Sequence, residues 1–147
     1  MKKLFFWAIA AVLLSACDLH SSDNGSLDGY WQLAVIDTIG GNSVDVCENK
    51  LFWAVQGDLV EMRHLEGIIT DPRHLVIHWH FSLTGDQLTL SAPTAYDRTA
   101  NDSLVTSLNT IRAYGMNSLN EMFKVLKLDR KGMTLESSVL RLHFNRY

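Results

Sequence analysis

The chain has 147 residues, a formal net charge of −3 and 47% apolar residues, which is enough for one domain with a substantial core and leaves no room for two. Its 13 basic residues are scattered among acids rather than clustered. Because phosphate binding needs clustered Lys and Arg, this composition argues against a nucleic acid partner.

The N-terminus has the pattern of a secretory signal. Lys2 and Lys3 precede an apolar run over 4–14 that is too short to span a membrane, and the run ends in Leu14-Ser15-Ala16-Cys17. Small residues before a cysteine resemble the lipobox of bacterial lipoproteins. The resemblance implies a signal peptide over 1–16, about two or three acyl chains on Cys17, and an anchor in the cell envelope, in the outer membrane. An ordinary signal peptide or membrane anchor that happens to hold a cysteine is the alternative.

Processing at this site changes what the mature chain can do. Removal of residues 1–16 leaves 131 residues, and the net charge becomes −5 because Lys2 and Lys3 are lost. If Cys17 carries lipid, Cys47 has no partner, so no intrachain disulfide is expected. The polar segment after the cysteine predicts a flexible tether over 17–28, whose last eleven residues would span on the order of 17–20 Å.

Beyond the tether, apolar residues alternate with polar ones, which is typical of half-buried strands. Gly57-Asp58 and Thr84-Gly85-Asp86 have the composition of hairpin turns. We predict eight strands, at 29–37, 51–56, 59–65, 74–83, 88–92, 121–129, 133–137 and 139–146.

One segment has helical periodicity instead. Leu104, Leu108 and Ile111 follow the spacing i, i+4, i+7 behind the possible caps Asp102 or Ser103, and Gly115 stands where a helix often ends. We expect one short helix between the fifth and sixth strands, where it can cover an opening of the sheet.

Eight strands joined mostly by tight turns favour an all-β fold with up-and-down antiparallel pairing. Such a sheet can close into a barrel and lose its exposed edges. An open sandwich is the alternative.

Two stretches resemble a known family. Asp28-Gly29-Tyr30-Trp31-Gln32-Leu33 resembles the Gly-x-Trp element of lipocalins and of bacterial lipocalin-like lipoproteins. The tail resembles that of the bacterial group, in Tyr114-Gly115-Met116-Asn117-Ser118-Leu119 and in the segments 123–128, 133–137 and 140–144 that follow. The resemblance implies a lipocalin-like barrel over 29–147 whose Trp31 packs across the closed end against an arginine near the last strand. Arg141 and Arg146 are both candidates, although alternation places Arg141 opposite Leu142.

A lipocalin-like barrel implies non-catalytic binding of a small hydrophobic or lipid-like ligand. Trp53, Trp79 and Phe81 are the tentative ligand-binding residues, because alternation turns them inward. If these aromatics instead fill the barrel, an envelope protein-interaction or scaffold role is the better interpretation. An apolar cavity of about 300 Å³ or more would favour the first role, and a filled barrel with an exposed apolar patch the second.

Chemistry in the polar residues has little support. His78 and His80 share one face of a strand, and His64 or His74 could add a third imidazole, but no acid or cysteine completes a zinc site at a fixed short spacing. The chain also has no motif that indicates a nucleophile or a phosphate loop. We therefore expect no metal, no cofactor and no enzymatic activity.

Overall fold

The computed structural model describes residues 22–65, 76–96 and 101–147. The predicted signal peptide over 1–16, the anchor residue Cys17 and the first part of the predicted tether lie outside the described residues, as does His74. Within the described ranges, no helix is both long enough and apolar enough to cross a membrane.

The alternating segments form strands, as predicted. In the first of them Trp31 and Leu33 are fully buried while Tyr30 and Gln32 are partly exposed. The ten strands are β1 (Gly29–Thr38), β2 (Ser43–Asp45), β3 (Leu51–Gln56), β4 (Leu59–His64), β5 (Val76–Thr84), β6 (Gln87–Ala95), β7 (Ser103–Leu104), β8 (Glu121–Leu128), β9 (Gly132–Glu136) and β10 (Leu140–Arg146).

Eight of these strands close into an antiparallel barrel, which confirms the all-β, up-and-down prediction. The order around the barrel is β10, β9, β8, β6, β5, β4, β3, β1, and pairing of β1 with β10 joins the two ends. We call the end at which β1 begins and β10 ends the base, and the opposite end the rim. The tight turns at Gly57 and Gly85 lie at the base.

Two short strands were missed by the sequence prediction. β2 pairs with the far half of β1, and β7 pairs with the far half of β6. Both lie near the rim, and both are exposed along their whole length. Two or three residues with no buried face leave no alternation to detect.

The predicted helix is shorter than expected and its place in the strand order differs. It spans Leu108–Ile111, here called α1, and continues as a 3-10 turn over Arg112–Tyr114. With β7 counted, it lies between β7 and β8 of the observed strand order and not between β5 and β6. Leu104, taken as its first apolar position, is 69% exposed and pairs as a strand with Thr94.

Strand β6 continues through Pro93, where the sequence predicted its end. The pairing of β5 with β6 shifts register between His78 and His80, and Ala92 has a positive φ of 50° beside the shift. Proline is tolerated at a bulge because no ladder hydrogen bond is required there.

The last part of the predicted tether is folded onto the barrel. Gly25–Leu27 form a 3-10 turn in which Leu27 is fully buried. The Asn24 side chain donates to the Gly57 carbonyl at 2.7 Å, so this segment also holds the β3–β4 turn. The described fold therefore includes residues 22–28 in addition to the barrel strands.

Candidate functional site

The base of the barrel is sealed around Trp31. Its ring is fully buried, and its Nε1 donates to the Leu27 carbonyl at 2.8 Å. The Arg146 guanidinium lies 4.7 Å from the ring centroid and donates to the Ser26 carbonyl at 3.1 Å. A cation over an indole face is attracted by the ring quadrupole, so Arg146 fastens β10 to both β1 and the N-terminal turn.

Arg141 has a different role from Arg146. Its Nε donates to Glu136 Oε2 at 2.8 Å on the outer face of β9 and β10, away from Trp31. Alternation alone could not decide which arginine packs against Trp31, because Arg146 ends the last strand and its side chain turns back over the base.

The rim is closed by residues 107–116, which we call the plug. Ile111, Tyr114 and Met116 are fully buried there, and burial raises the pKa of the Tyr114 hydroxyl far above its usual range. Gly115 ends the 3-10 turn with a left-handed φ of 84°, and a Cβ on it would lie 2.7 Å from the Leu142 side chain. The plug thus covers this end of the barrel.

The described interior is filled. Trp53 and Trp79 point inward and are fully buried, whereas Phe81 packs against the core and keeps partial exposure. A cavity wide enough for water would leave its lining side chains partly accessible. None of the following inward side chains exposes any surface: Trp31, Leu33, Trp53, Val60, Met62, Ile77, Trp79, Leu90, Phe123, Leu135 and Leu142.

Two polar atoms inside this core have no hydrogen-bond partner among the described residues: the indole nitrogens of Trp53 and Trp79. Trp53 has aromatic neighbours, with the ring centroids of Phe144 and Phe123 at 4.9 and 6.0 Å. An unsatisfied buried donor costs about 1–3 kcal/mol, so the two indoles are the polar groups that an interior ligand with an acceptor would satisfy.

The plug is attached to the barrel mainly through its side chains. In the described part of the chain its backbone hydrogen bonds are local, from Thr110 to Ser107, Arg112 to Leu108 and Gly115 to Arg112. Each barrel strand, by contrast, is joined to its neighbours by a ladder of backbone hydrogen bonds. The plug is therefore the closing element that can move with the least loss of backbone bonding.

Apolar side chains are exposed around the rim. Ile39 and Val139 are neighbours, since the Ile39 amide donates to the Val139 carbonyl at 2.9 Å, and Val44 lies on the adjoining β2. All three are more than two-fifths exposed, and Leu65 and Leu104 are more exposed still. Sequence reasoning missed this feature because it depends on which residues the barrel brings to one end.

Among the described residues, His78 and His80 do not assemble a metal site. His78 Nε2 lies 3.2 Å from Glu61 Oε2, and His80 Nδ1 lies 3.7 Å from Asp58 Oδ2, so each imidazole faces its own carboxylate. Across the ranges that the structure describes, no three His, Cys, Asp or Glu side chains are close enough to hold an ion.

One further titratable cluster lies on the outer face of β1 and β10. Hydrogen bonds from the Ser43 hydroxyl and then from the His143 ring lower the pKa of Asp37, and His143 Nε2 lies 2.7 Å from Asp37 Oδ2. Serine and histidine both contact the carboxylate and not each other. Activation of a serine hydroxyl as a nucleophile needs a histidine between the serine and the carboxylate. Here the carboxylate lies between the serine and the histidine, so the hydroxyl is not activated.

Leu27, Tyr114 and Met116 are the structural site residues that sequence reasoning overlooked. Leu27 could have been found, because it is one of two leucines in a polar segment and lies two positions before the Gly-x-Trp element. Tyr114 and Met116 gave no periodic signal, since they flank a glycine in irregular backbone.

Comparisons with known proteins agree with this architecture. A family model described as a lipocalin-like domain matches residues 12–147. A lipocalin-like protein from Bacteroides uniformis superposes with a TM-score of 0.62 at 21% identity, over 84% of this chain and 100% of that one. An uncharacterized protein from Bacteroides eggerthii gives a TM-score of 0.59 at 19% identity, over 82% and 98%.

No curated protein sequence matches the chain. Lipocalin-like proteins are generally non-catalytic binding proteins, so the barrel suggests a binding function. The family model covers nearly the whole sequence, including the Gly-x-Trp element, the plug and the last strand. The chain belongs to the lipocalin-like domain family.

Proposed function

We propose that this protein is a lipid-anchored binding module of the cell envelope that recognises a partner protein through the apolar rim of a filled barrel. One observation carries the proposal: the described interior is packed and sealed at both ends, beneath a rim that exposes apolar side chains. Neighbouring exposed apolar side chains, such as Ile39 and Val139, are typical of protein interfaces.

The position of the N-terminus supports the same role. The chain joins the barrel at the base, where residues 22–28 pack, and Cys17 precedes Ser22 by five residues. Five residues reach at most about 17 Å. A lipid on Cys17 would therefore hold the base towards the membrane and present the rim to partners in the adjoining compartment.

Site-specific crosslinking in cells tests the rim. A photoreactive residue at Ile39 or Val44 should capture one protein species, and Val139→Asp should abolish that capture because it places a charge in the interface. Met122, which is equally exposed on the barrel wall, is the matched control position. Capture of a second copy of this chain would show that the rim mediates self-association and does not bind a different protein. Equal capture at Met122 would contradict the proposal.

A small apolar ligand in the interior is the second candidate function. It is favoured by the two unpartnered indole nitrogens and by the side-chain attachment of the plug. Ligand entry would require the plug to move, because the described interior has no open space. Saturable one-to-one binding of an apolar fluorescent probe, lost in a folded Trp79→Ala variant, would support this function, and its absence across a lipid panel would eliminate it.

A further inference from the structure

A shallow trough crosses the outer wall of the barrel, away from the rim. Two depressions of about 520 and 390 Å³ adjoin over Ala54 and Gln56. Strand pairing places Tyr30, Ala54, Glu61 and His78 opposite one another in a single row across β1, β3, β4 and β5. The small side chain of Ala54 forms the floor of this row. Three strand spacings give the trough a length of about 14 Å.

The side chains around the trough are fixed by their neighbours. The Tyr30 ring stacks on Phe52, with centroids 4.9 Å apart and planes 13° apart. Glu61 accepts from Arg63 Nε at 2.6 Å and lies 3.2 Å from His78 Nε2. Groups that are ordered before binding do not lose conformational entropy when a ligand arrives, so weak individual contacts can add up to useful affinity.

The second half of the trough is similarly ordered. Asp28 Oδ1 accepts from the Ser22 hydroxyl and from the Asn24 amide, both at 2.8 Å, and Arg146 borders the same depression. The Gln56 side chain is exposed between the two halves and makes no hydrogen bond to another described side chain or backbone group. Its amide can both donate and accept.

The lining selects a ligand by its chemistry. Two carboxylates, Asp28 and Glu61, are balanced by the guanidiniums of Arg146 and Arg63, so neither sign of charge dominates and a polyanion gains little. Carboxylates and an amide pair with hydroxyl groups, and an aromatic ring beside them can pack against the apolar face of a sugar ring.

An extended peptide fits this surface poorly. Peptides that bind sheets usually add a strand to an exposed edge, and the trough crosses β3 and β4, whose edges are already paired on both sides. The floor is a single alanine rather than a pocket for a large apolar side chain.

We propose that the trough over Ala54 is a second binding site, independent of the rim, for a neutral oligosaccharide. The ligand would lie across the strands, with a sugar ring beside Tyr30 and hydroxyl groups directed at Gln56 and Glu61.

Calorimetric titration of the folded chain with neutral oligosaccharides of glucose, mannose or N-acetylglucosamine tests the proposal. One of these series should bind saturably, and Ala54→Gln should weaken that binding at least about tenfold because it fills the floor. Thr89→Gln introduces the same side chain on the outer face of β6, outside the trough, and should change affinity less than about twofold.

Gln56→Ala keeps the test decisive if Ala54→Gln fails to fold, since Gln56 is exposed and its truncation should also weaken binding. The proposal is overturned if no neutral oligosaccharide binds, if Ala54→Gln and Thr89→Gln behave alike, or if sulfated oligosaccharides or peptides bind better than neutral sugars. Loss of the rim partner leaves this test unaffected, because the two sites share no residue.

Discussion

Trp31 is the residue on which the base of the barrel depends. It combines complete burial, a hydrogen bond to the Leu27 carbonyl and a cation over its ring. Its position could be predicted from alternation with Leu33 and from the Gly-x-Trp element. Its partners could not, because Leu27 lies in a segment with the composition of a tether and Arg146 ends a strand.

Replacement of Trp31 should remove a large part of the stability of the domain. Trp31→Ala is expected to lower the free energy of unfolding by about 3–5 kcal/mol, because it leaves a cavity and an unpaired Leu27 carbonyl. Reversible chemical denaturation measures this loss. Arg141→Ala is the control, since its partly exposed pair with Glu136 should contribute about 0–1 kcal/mol. A loss below about 1 kcal/mol for Trp31→Ala would show that the residue is peripheral.

Asp37 should make stability depend on pH in the acid range. The Ser43 hydroxyl, followed by the His143 ring, holds its pKa below the ordinary value of 3.8. Because the folded-state pKa is lowered, the stabilisation is complete above the unfolded-state pKa and is lost as pH falls through the folded-state pKa.

Thermal melts of the wild type and Asp37→Asn test this expectation. The melting temperature of Asp37→Asn should be lower near about pH 6, and the difference between the two proteins should shrink below about pH 4. Ser43→Ala should reproduce part of the effect, since it removes the main cause of the shift. A difference that stays constant from neutral to acid pH would contradict the assignment.

At the scale of elements, alternation predicts strands well where one face is buried. The bounds of β3 match the prediction, and those of β1, β4 and β10 each differ from it by one residue at one end only. β2 and β7 could not be found, because neither has a buried face. The plug was predicted as a longer helix because Leu104 happens to fall on the helical period although it belongs to a strand.

Gly115 should be indispensable to the plug. Gly115→Ala combines a left-handed φ with a Cβ 2.7 Å from Leu142, so we expect a loss of roughly 2–4 kcal/mol from backbone strain and overpacking. Gly57→Ala is a matched control, because Gly57 has a φ of 62° and nothing within 4 Å of its added Cβ. It should cost only about 1 kcal/mol. If chemical denaturation shows equal losses of unfolding free energy for the two variants, the Leu142 side chain can move away from the added Cβ without cost.

At the scale of the whole molecule, the sequence predicted a closed barrel but not its contents. Inward aromatics are compatible with a filled interior and with a ligand cup, since the pattern of apolar residues does not measure volume. For the described residues, the burial of Trp53, Trp79 and the plug shows that the interior is filled. The position of the apolar rim likewise follows from barrel closure and not from any one segment.

The boundary of the folded unit can be tested by truncation. A chain that begins at Ser22 should be as stable as one that begins at Cys17, because residues 22–28 carry the described contacts with the base. A chain that begins at Gly29 should lose about 3–5 kcal/mol, since it lacks the burial of Leu27 and leaves the Trp31 indole without an acceptor. Denaturation of the three proteins compares them directly. Equal stability would mean that 22–28 form a tether after all.

Pairing of the first strand with the last has a consequence for how the chain is made. His143 and Asp37 meet across this seam although they are 106 positions apart, so the contact must wait for almost all of the chain. Until β10 is synthesised, β1 and β9 each keep an open edge that can template pairing between chains. Contacts over such separations also form slowly, because a long loop must close first. The final seven-residue strand is therefore the one that protects nascent chains from aggregation, and small losses from the C-terminus should be far more harmful than losses of the same length before Ser22.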